Sequence, residues 1–256
     1  MYNVNKGNLM GSNYFDLVKD CLVEMFYEEP KTWADTNTTE GIKVKRLLNQ
    51  ELKSIVLGEN IPWKFRQRKQ ILVTVEGVQK YCKPNGYIIN MRYPKDDMRL
   101  FYNEHNVYLP VETTGQPMMY WIFNGMINLY PTPSKQFANR EIVIKYLTND
   151  CAKDKFGIDK QELEEPDDEP IIPDQWRDIL VYAVCRDFRR SLTDNASTYY
   201  ERRFRETYRA LLSDQKLTDD YPDGFDIAPW TETLQDVILN VYMNPRVGGY
   251  INNWQV

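Results

Sequence analysis

The stretch Asp167-Asp-Glu-Pro-Ile-Ile-Pro-Asp174, running straight into Trp176-Arg-Asp-Ile-Leu-Val-Tyr-Ala-Val-Cys-Arg-Asp-Phe188, decides how the chain is organised. An acidic, proline-bracketed segment stops there and a strongly amphipathic helix begins. Trp176, Ile179, Leu180, Ala183, Val184 and Phe188 recur at i, i+3, i+4 spacing, which gathers them into one apolar stripe. Pro173 suits a first turn, where a missing N–H costs nothing, and Asp174 suits the positive end of the helix dipole.

Downstream of this helix, Thr193 to Ser197 breaks the pattern. A last long helix follows, with Tyr200, Phe204, Tyr208, Leu211 and Leu212 on one face. Upstream, two more amphipathic helices open the chain. The first starts after Gly11-Ser-Asn13, with Ser12 or Asn13 as cap, and carries Leu17, Val18, Cys21, Leu22 and Met25. The second carries Val44, Leu47, Leu48, Leu52 and Ile55, with Gly58 as its C-terminal cap.

Between the helix pairs the period changes to two. Ile71, Val73 and Val75 alternate with Leu72, Thr74 and Glu76, and β character continues through Tyr87 to Met91 and Leu100 to Leu109. Met118 to Phe123, then Asn124-Gly125, then Met126 to Tyr130 predicts a hairpin, because Asn-Gly adopts the positive φ angles of a two-residue turn. Glu141 to Leu147 supplies a further strand. Helices at both ends of a chain can share one core with the β segment extruded, since each apolar stripe needs a partner. The expected fold class is therefore α+β: a mainly α-helical bundle with an inserted antiparallel β region and an extended C-terminal tail. The expected boundaries are 1–62 and 171–213 for the bundle, 63–150 for the β region, 151–170 for an acidic linker with little regular structure, and 214–256 for an anchoring tail.

Composition narrows the function. The 256 residues hold 42% hydrophobic and 27% charged residues, as an ordinary globular protein does, and a net charge of −5 argues against binding DNA by phosphate neutralisation. Eighteen Tyr and six Trp suit half-buried surfaces and protein interfaces, or equally a tyrosine-rich core and rim. Cys21, Cys82, Cys151 and Cys185 are scattered, and His105 is the single histidine, so neither zinc nor nucleophilic catalysis has a residue set. The carboxylates from Asp150 to Glu169 lack the spacing and turn glycine of a calcium loop. No enzyme activity, metal or cofactor is expected. Met1 to Asn13 lacks a signal-peptide core and no stretch is long enough to span a bilayer, which predicts a protein of the cytoplasm with no membrane partner.

Four local patterns, taken in order, resemble the head-to-tail connector (adaptor) family of short-tailed bacteriophages. The second helix runs into Ile61-Pro-Trp63 and a basic segment ending at Val75. Asn124-Gly-Met-Ile-Asn-Leu-Tyr-Pro-Thr-Pro133 is similar to that family's hairpin exit, and Glu141 to Leu147 to the strand after it. Glu169-Pro-Ile-Ile-Pro173 and the Tyr199-Tyr-Glu201 helix complete the set, which covers roughly residues 14 to 213. The resemblance implies a virion structural protein, assembled in the host cytoplasm. It would form a homo-oligomeric, dodecameric ring below the portal protein, extend the DNA channel so that the genome passes through at ejection, and offer a platform for downstream tail or ring proteins. The alternative, from another class, is a cellular mixed α/β interaction or nucleic-acid-associated protein without catalysis.

Two residue groups are candidates for recognition. In the tail, Trp230, Leu234, Val237, Ile238 and Val241 repeat at helical spacing, and Tyr242, Tyr250 and Trp254 add aromatic area, too apolar for a solvating tail. They either fold back on their own subunit or anchor the chain to the portal. Lys64, Arg66 and Arg68, with Lys69 adjacent, alternate along a presumed strand. Arg202, Arg205 and Arg209 lie on the polar side of the last helix with Glu201 and Glu206. The first set is either a solvated face or a basic edge that meets a neighbouring subunit, the portal or passing DNA, and the second is either a solvent-exposed salt-bridged face or a subunit–subunit ion-pair belt.

Overall fold

The computed structural model describes residues 12–58, 61–95, 98–103, 113–189 and 194–216. These belong to a compact unit, Met1–Lys216, one of the two into which the chain divides. Among the described residues four α-helices form where the 3.6-residue period runs: α1 (Tyr14–Glu24), α2 (Thr39–Leu57), α3 (Asp178–Arg189) and α4 (Asp194–Gln215). Asn13 caps α1, its side chain accepting from the Asp16 N–H at 2.9 Å while the Asp16 carboxylate accepts from the Asn13 N–H. Thr38 caps α2 by accepting from the Gly41 N–H at 3.1 Å. Pro173 and Asp174 begin a 3-10 turn, Asp174–Trp176, that leads into α3. Leu17, Val18 and Cys21 of α1, Val44, Leu48 and Leu52 of α2, Ile179, Leu180 and Val184 of α3, and Leu211 of α4 then close on Trp63 in one buried core.

The β segment builds a second core. Its strands are β1 (Gln67–Val73), β2 (Lys80–Cys82), β3 (Gly86–Tyr93), β4 (Met98–Arg99), β5 (Phe101–Tyr102), β6 (Thr114–Gly115), β7 (Met119–Phe123), β8 (Met126–Tyr130), β9 (Thr132–Pro133) and β10 (Glu141–Thr148). One sheet has the order β1-β10-β3-β4 and another β2-β8-β7-β5, while β6 and β9 pair separately. Leu72, Met91, Ile142 and Ile144 of the first sheet pack with Tyr120, Ile127 and Leu129 of the second. The β7–β8 hairpin turns at Asn124 (φ 49°) and Gly125 (φ 71°), the left-handed angles its Asn-Gly pair predicts.

Three expectations are corrected. The chain is not a mainly helical bundle: helices take up only 40% of the described residues, and the strands there form four sheets, two of which share a core of their own. The helical stripes dominate the sequence pattern because they are long, whereas many strands here are two or three residues and leave no period to read. The segment expected as a loosely structured acidic linker is ordered instead. It forms β11 (Ala152–Lys153), β12 (Asp159–Lys160) and β13 (Glu169–Pro170) in a sheet of order β12-β11-β13. Its centre is the buried Asp168 carboxylate, which accepts from Lys160 Nζ and from the backbone N–H groups of Glu164 and Glu165, each at 2.8 Å. Burial works against that charge, and these donors outweigh it, holding Asp168 below the usual carboxylate range. Finally, Lys64 and Arg66 do not share a strand face with Arg68. They lie in a 3-10 turn, Lys64–Arg66, and β1 starts only at Gln67.

Candidate functional site

The basic residues read as one strand face have separate fates. Lys64 Nζ donates to the Asp214 carbonyl at 2.6 Å, tying the 3-10 turn to the end of α4. Arg66 is 6% exposed, and its guanidinium donates to the carbonyls of Thr148 at 2.9 Å and Val56 at 3.1 Å. Burial lowers its pKa, yet a guanidinium remains charged at any working pH. It is a joint between the end of α2 and the end of β10. Arg68 holds Asp159 of β12 in a two-pronged ion pair at 2.7 and 2.9 Å. Lys69 is exposed on β1, paired in register with Lys145.

On α4 the arginines face outward. Arg205 pairs with Glu201 at 2.6 Å and Arg202 with Glu206 at 3.5 Å, and their side chains remain 67% and 72% exposed. Arg209 is exposed as well. Exposed pairs of this kind contribute a few tenths of a kcal/mol, roughly 0.3–0.5 each, so the row's main property is its positive surface charge.

Sequence reading missed two charged clusters. Arg177 is 4% exposed and gathers the Ser12 carbonyl (2.7 Å), the Ile172 carbonyl (3.1 Å), Glu169 (3.0 Å) and Asp174 (2.8 Å). It fastens the start of α1 to the start of α3. The second lies between α2, α3 and α4. Arg186 reaches Glu51 at 3.4 Å, Asp187 at 2.7 Å and Glu201 at 3.7 Å. Burial and a hydrogen bond shared with Asp187 push the Glu51 carboxyl up to about 7, against the pull of Arg186. Arg177 lies in the turn just before α3 and Arg186 on α3, and the distant partners that make each a cluster, Ser12 for Arg177 and Glu51 and Glu201 for Arg186, leave no local signal.

Among the described residues, large apolar side chains are exposed on α2 at Ile42 and in three further groups. Ile71, Val73 and Val75 follow edge strand β1, with Phe101, Met118 and Phe123 elsewhere on the β region. Val23, Phe26, Tyr27 and Tyr199 lie where α1 ends and α4 begins. Phe156 and Ile158 occupy the turn between β11 and β12. Beneath that turn opens a cavity of about 490 Å3, lined by Asp154, Glu165, Asp167 and Asp168 with Lys155 and Lys160. Its carboxylates outnumber its lysines, so it suits a cation better than an anion.

Among the described residues no group of three or more His, Cys, Asp or Glu is placed to hold a metal ion. No described helix is long and apolar enough to cross a membrane. Trp230, Leu234, Val237, Ile238, Val241, Tyr242, Tyr250 and Trp254, together with His105, lie outside the described residues. Compared with known proteins, the chain matches no protein-family model and no curated protein.

Proposed function

We propose that this chain is a head-to-tail adaptor of a bacteriophage virion, a non-catalytic protein that forms a ring under the portal, extends the DNA channel and carries the tail. The observation that carries the reading is the arrangement of the two cores. α1 and α2 from one side of the β segment, and α3 and α4 from the other, close on one apolar core, while the segment between them packs a core of its own. The motifs of the resemblance fall at the joints of this arrangement, with Ile61-Pro-Trp63 leaving α2, Pro131-Thr-Pro133 leaving the hairpin, and Glu169 to Pro173 leading to α3. A ring suits such a body, since weak contacts are multiplied by symmetry and a passage needs no chemistry.

In this reading the portal anchor is the segment after α4, residues 217–256, with Trp230 to Val241 laid as an amphipathic helix into a groove and Tyr250 and Trp254 in pockets beyond. Purified protein added to portal-bearing heads should attach at the portal vertex as a ring. A chain ending at Lys216, the last residue of the first compact unit, should keep its circular dichroism and fail to attach. Wild-type occupancy by the shortened chain would move the anchor elsewhere, and failure of the full chain to attach would sink the adaptor reading.

A further inference from the structure

We infer that Cys21 of α1 and Cys185 of α3 are a paired modification site, which small disulfides of the glutathione class close into a protein disulfide that locks the two helices together. Neither thiol is used by the adaptor function proposed above, which stands or falls separately.

The first observation is how the two helices lie. Arg177, one residue before α3, donates to the carbonyl of Ser12, two residues before α1, at 2.7 Å. At the other end the rings of Tyr27 and Phe188 meet edge-on, with centroids 6.3 Å apart. α1 and α3 are therefore pinned side by side and run in the same direction. Cys21 comes nine residues after Ser12, and Cys185 eight after Arg177. At about 1.5 Å of rise per residue the two stand level to within roughly 2 Å.

The second observation is the contact itself. Both cysteines are free, have no exposed surface and belong to the helical core. The Cys21 thiol shares a hydrogen bond with that of Cys185. Thiols in such contact point toward one another, which is the orientation bridging requires. The other two cysteines are placed differently. Cys151 donates its thiol to the Asn149 carbonyl at 3.8 Å, and Cys82 is exposed on β2.

The step exchanges one disulfide for another. The thiolate of one cysteine attacks the S–S bond of oxidised glutathione and releases one glutathione thiol. The second cysteine then attacks the mixed disulfide and releases the other. Glutathione disulfide takes up two electrons and the two cysteine protons, and the Cys21–Cys185 bond remains. Burial first, then the contact with Cys185 and the nearby Asp20 and Glu24, holds the Cys21 thiol well above the usual cysteine range. Exchange therefore waits on an opening of α1 and is slow in the closed fold. Once formed, the bond encloses the whole β segment, and restraining so long a loop disfavours the unfolded chain.

The test uses the full chain carrying Cys82→Ser, so that no exposed thiol competes. After incubation with oxidised glutathione in urea below the unfolding midpoint, remaining thiols are alkylated and the peptides mapped by mass spectrometry. Two thiols should disappear together, without bound glutathione, as one linked peptide pair carrying Cys21 and Cys185, while Cys151 is alkylated. The rate should rise with urea, as an opening step demands. The unfolding equilibrium constant of the oxidised chain should be at least about tenfold smaller, and dithiothreitol should restore it. Chance pairing in an unfolded chain would instead favour Cys151 with Cys185, 34 residues apart, over Cys21 with Cys185, 164 apart. A predominant Cys151–Cys185 link, separate glutathione adducts on Cys21 and Cys185, three thiols still free after prolonged incubation, or an oxidised chain that unfolds as readily as the reduced one would each overturn the site.

Discussion

The two cores of this molecule differ in how far along the chain they reach. The helical core draws on residues from Tyr14 to Leu211, so it closes only when both ends of the Met1–Lys216 unit have met. The β core is assembled from residues between Leu72 and Ile144, a continuous stretch. Local closure costs less chain entropy, and the helical core must offset a longer loop before its contacts count. Both nevertheless lie in one compact unit. What fastens them is polar, namely the Arg66 guanidinium held between Val56 at the end of α2 and Thr148 at the end of β10. A buried side chain with two backbone acceptors fixes the orientation of two elements that apolar contact alone would let slide.

The largest expected effect comes from breaking that joint. Arg66→Ala leaves two buried carbonyls without a donor and a cavity beside Val56, and should cost about 2–4 kcal/mol. Urea unfolding followed by amide exchange should then resolve two transitions, one for α1 to α4 and one for β3, β8 and β10. A single transition at the wild-type midpoint would show that the joint does not couple the cores.

A smaller effect isolates the β core. Nothing stands within 4 Å of where a Cβ would sit on Gly125, so Gly125→Val is opposed only by its φ of +71°. Forcing a β-branched residue into that region should cost on the order of 1–3 kcal/mol. Protection should fall first in β7 and β8 and leave α2 and α3 unchanged; an unchanged denaturation midpoint would remove the strain argument.

The smallest effect belongs to the helical core and depends on pH. Glu51 has its carboxyl pushed up to about 7 in the folded chain, above the ordinary value of 4.5. Its contribution is fully present below the unfolded value and is lost as pH rises through about 7. Sharing of the proton with Asp187 and the nearby Arg186 limits the net change to on the order of 1 kcal/mol. Glu51→Gln should therefore gain stability relative to wild type between pH 5 and pH 8, measured as the difference of their denaturation midpoints. A difference that does not vary with pH would place the titration elsewhere.

The helices were legible because each carries a repeating apolar stripe and, for α1, a side chain able to cap it, Asn13. The hairpin was legible because Asn124-Gly125 states its own backbone angles. The tail's aromatic residues were equally legible as a pattern, and they lie outside the described residues. The order within the acidic segment was not legible. Its strands are two residues long, and they exist because Asp168 gathers donors across the segment while Arg68 and Asn49 supply partners from elsewhere.

By itself, then, the amino-acid sequence determined what depends on neighbours a few residues away: the helical periods, the caps, the hairpin turn and the overall negative charge. Tertiary structure alone decided the fate of the charges. Arg66 and Lys64 looked like one basic strand with Arg68, yet Arg66 is bound 82 residues away at Thr148 and Arg68 is paired 91 residues away at Asp159. A charge is a site or a fastening according to what surrounds it, and for a long side chain the surroundings come from other parts of the chain.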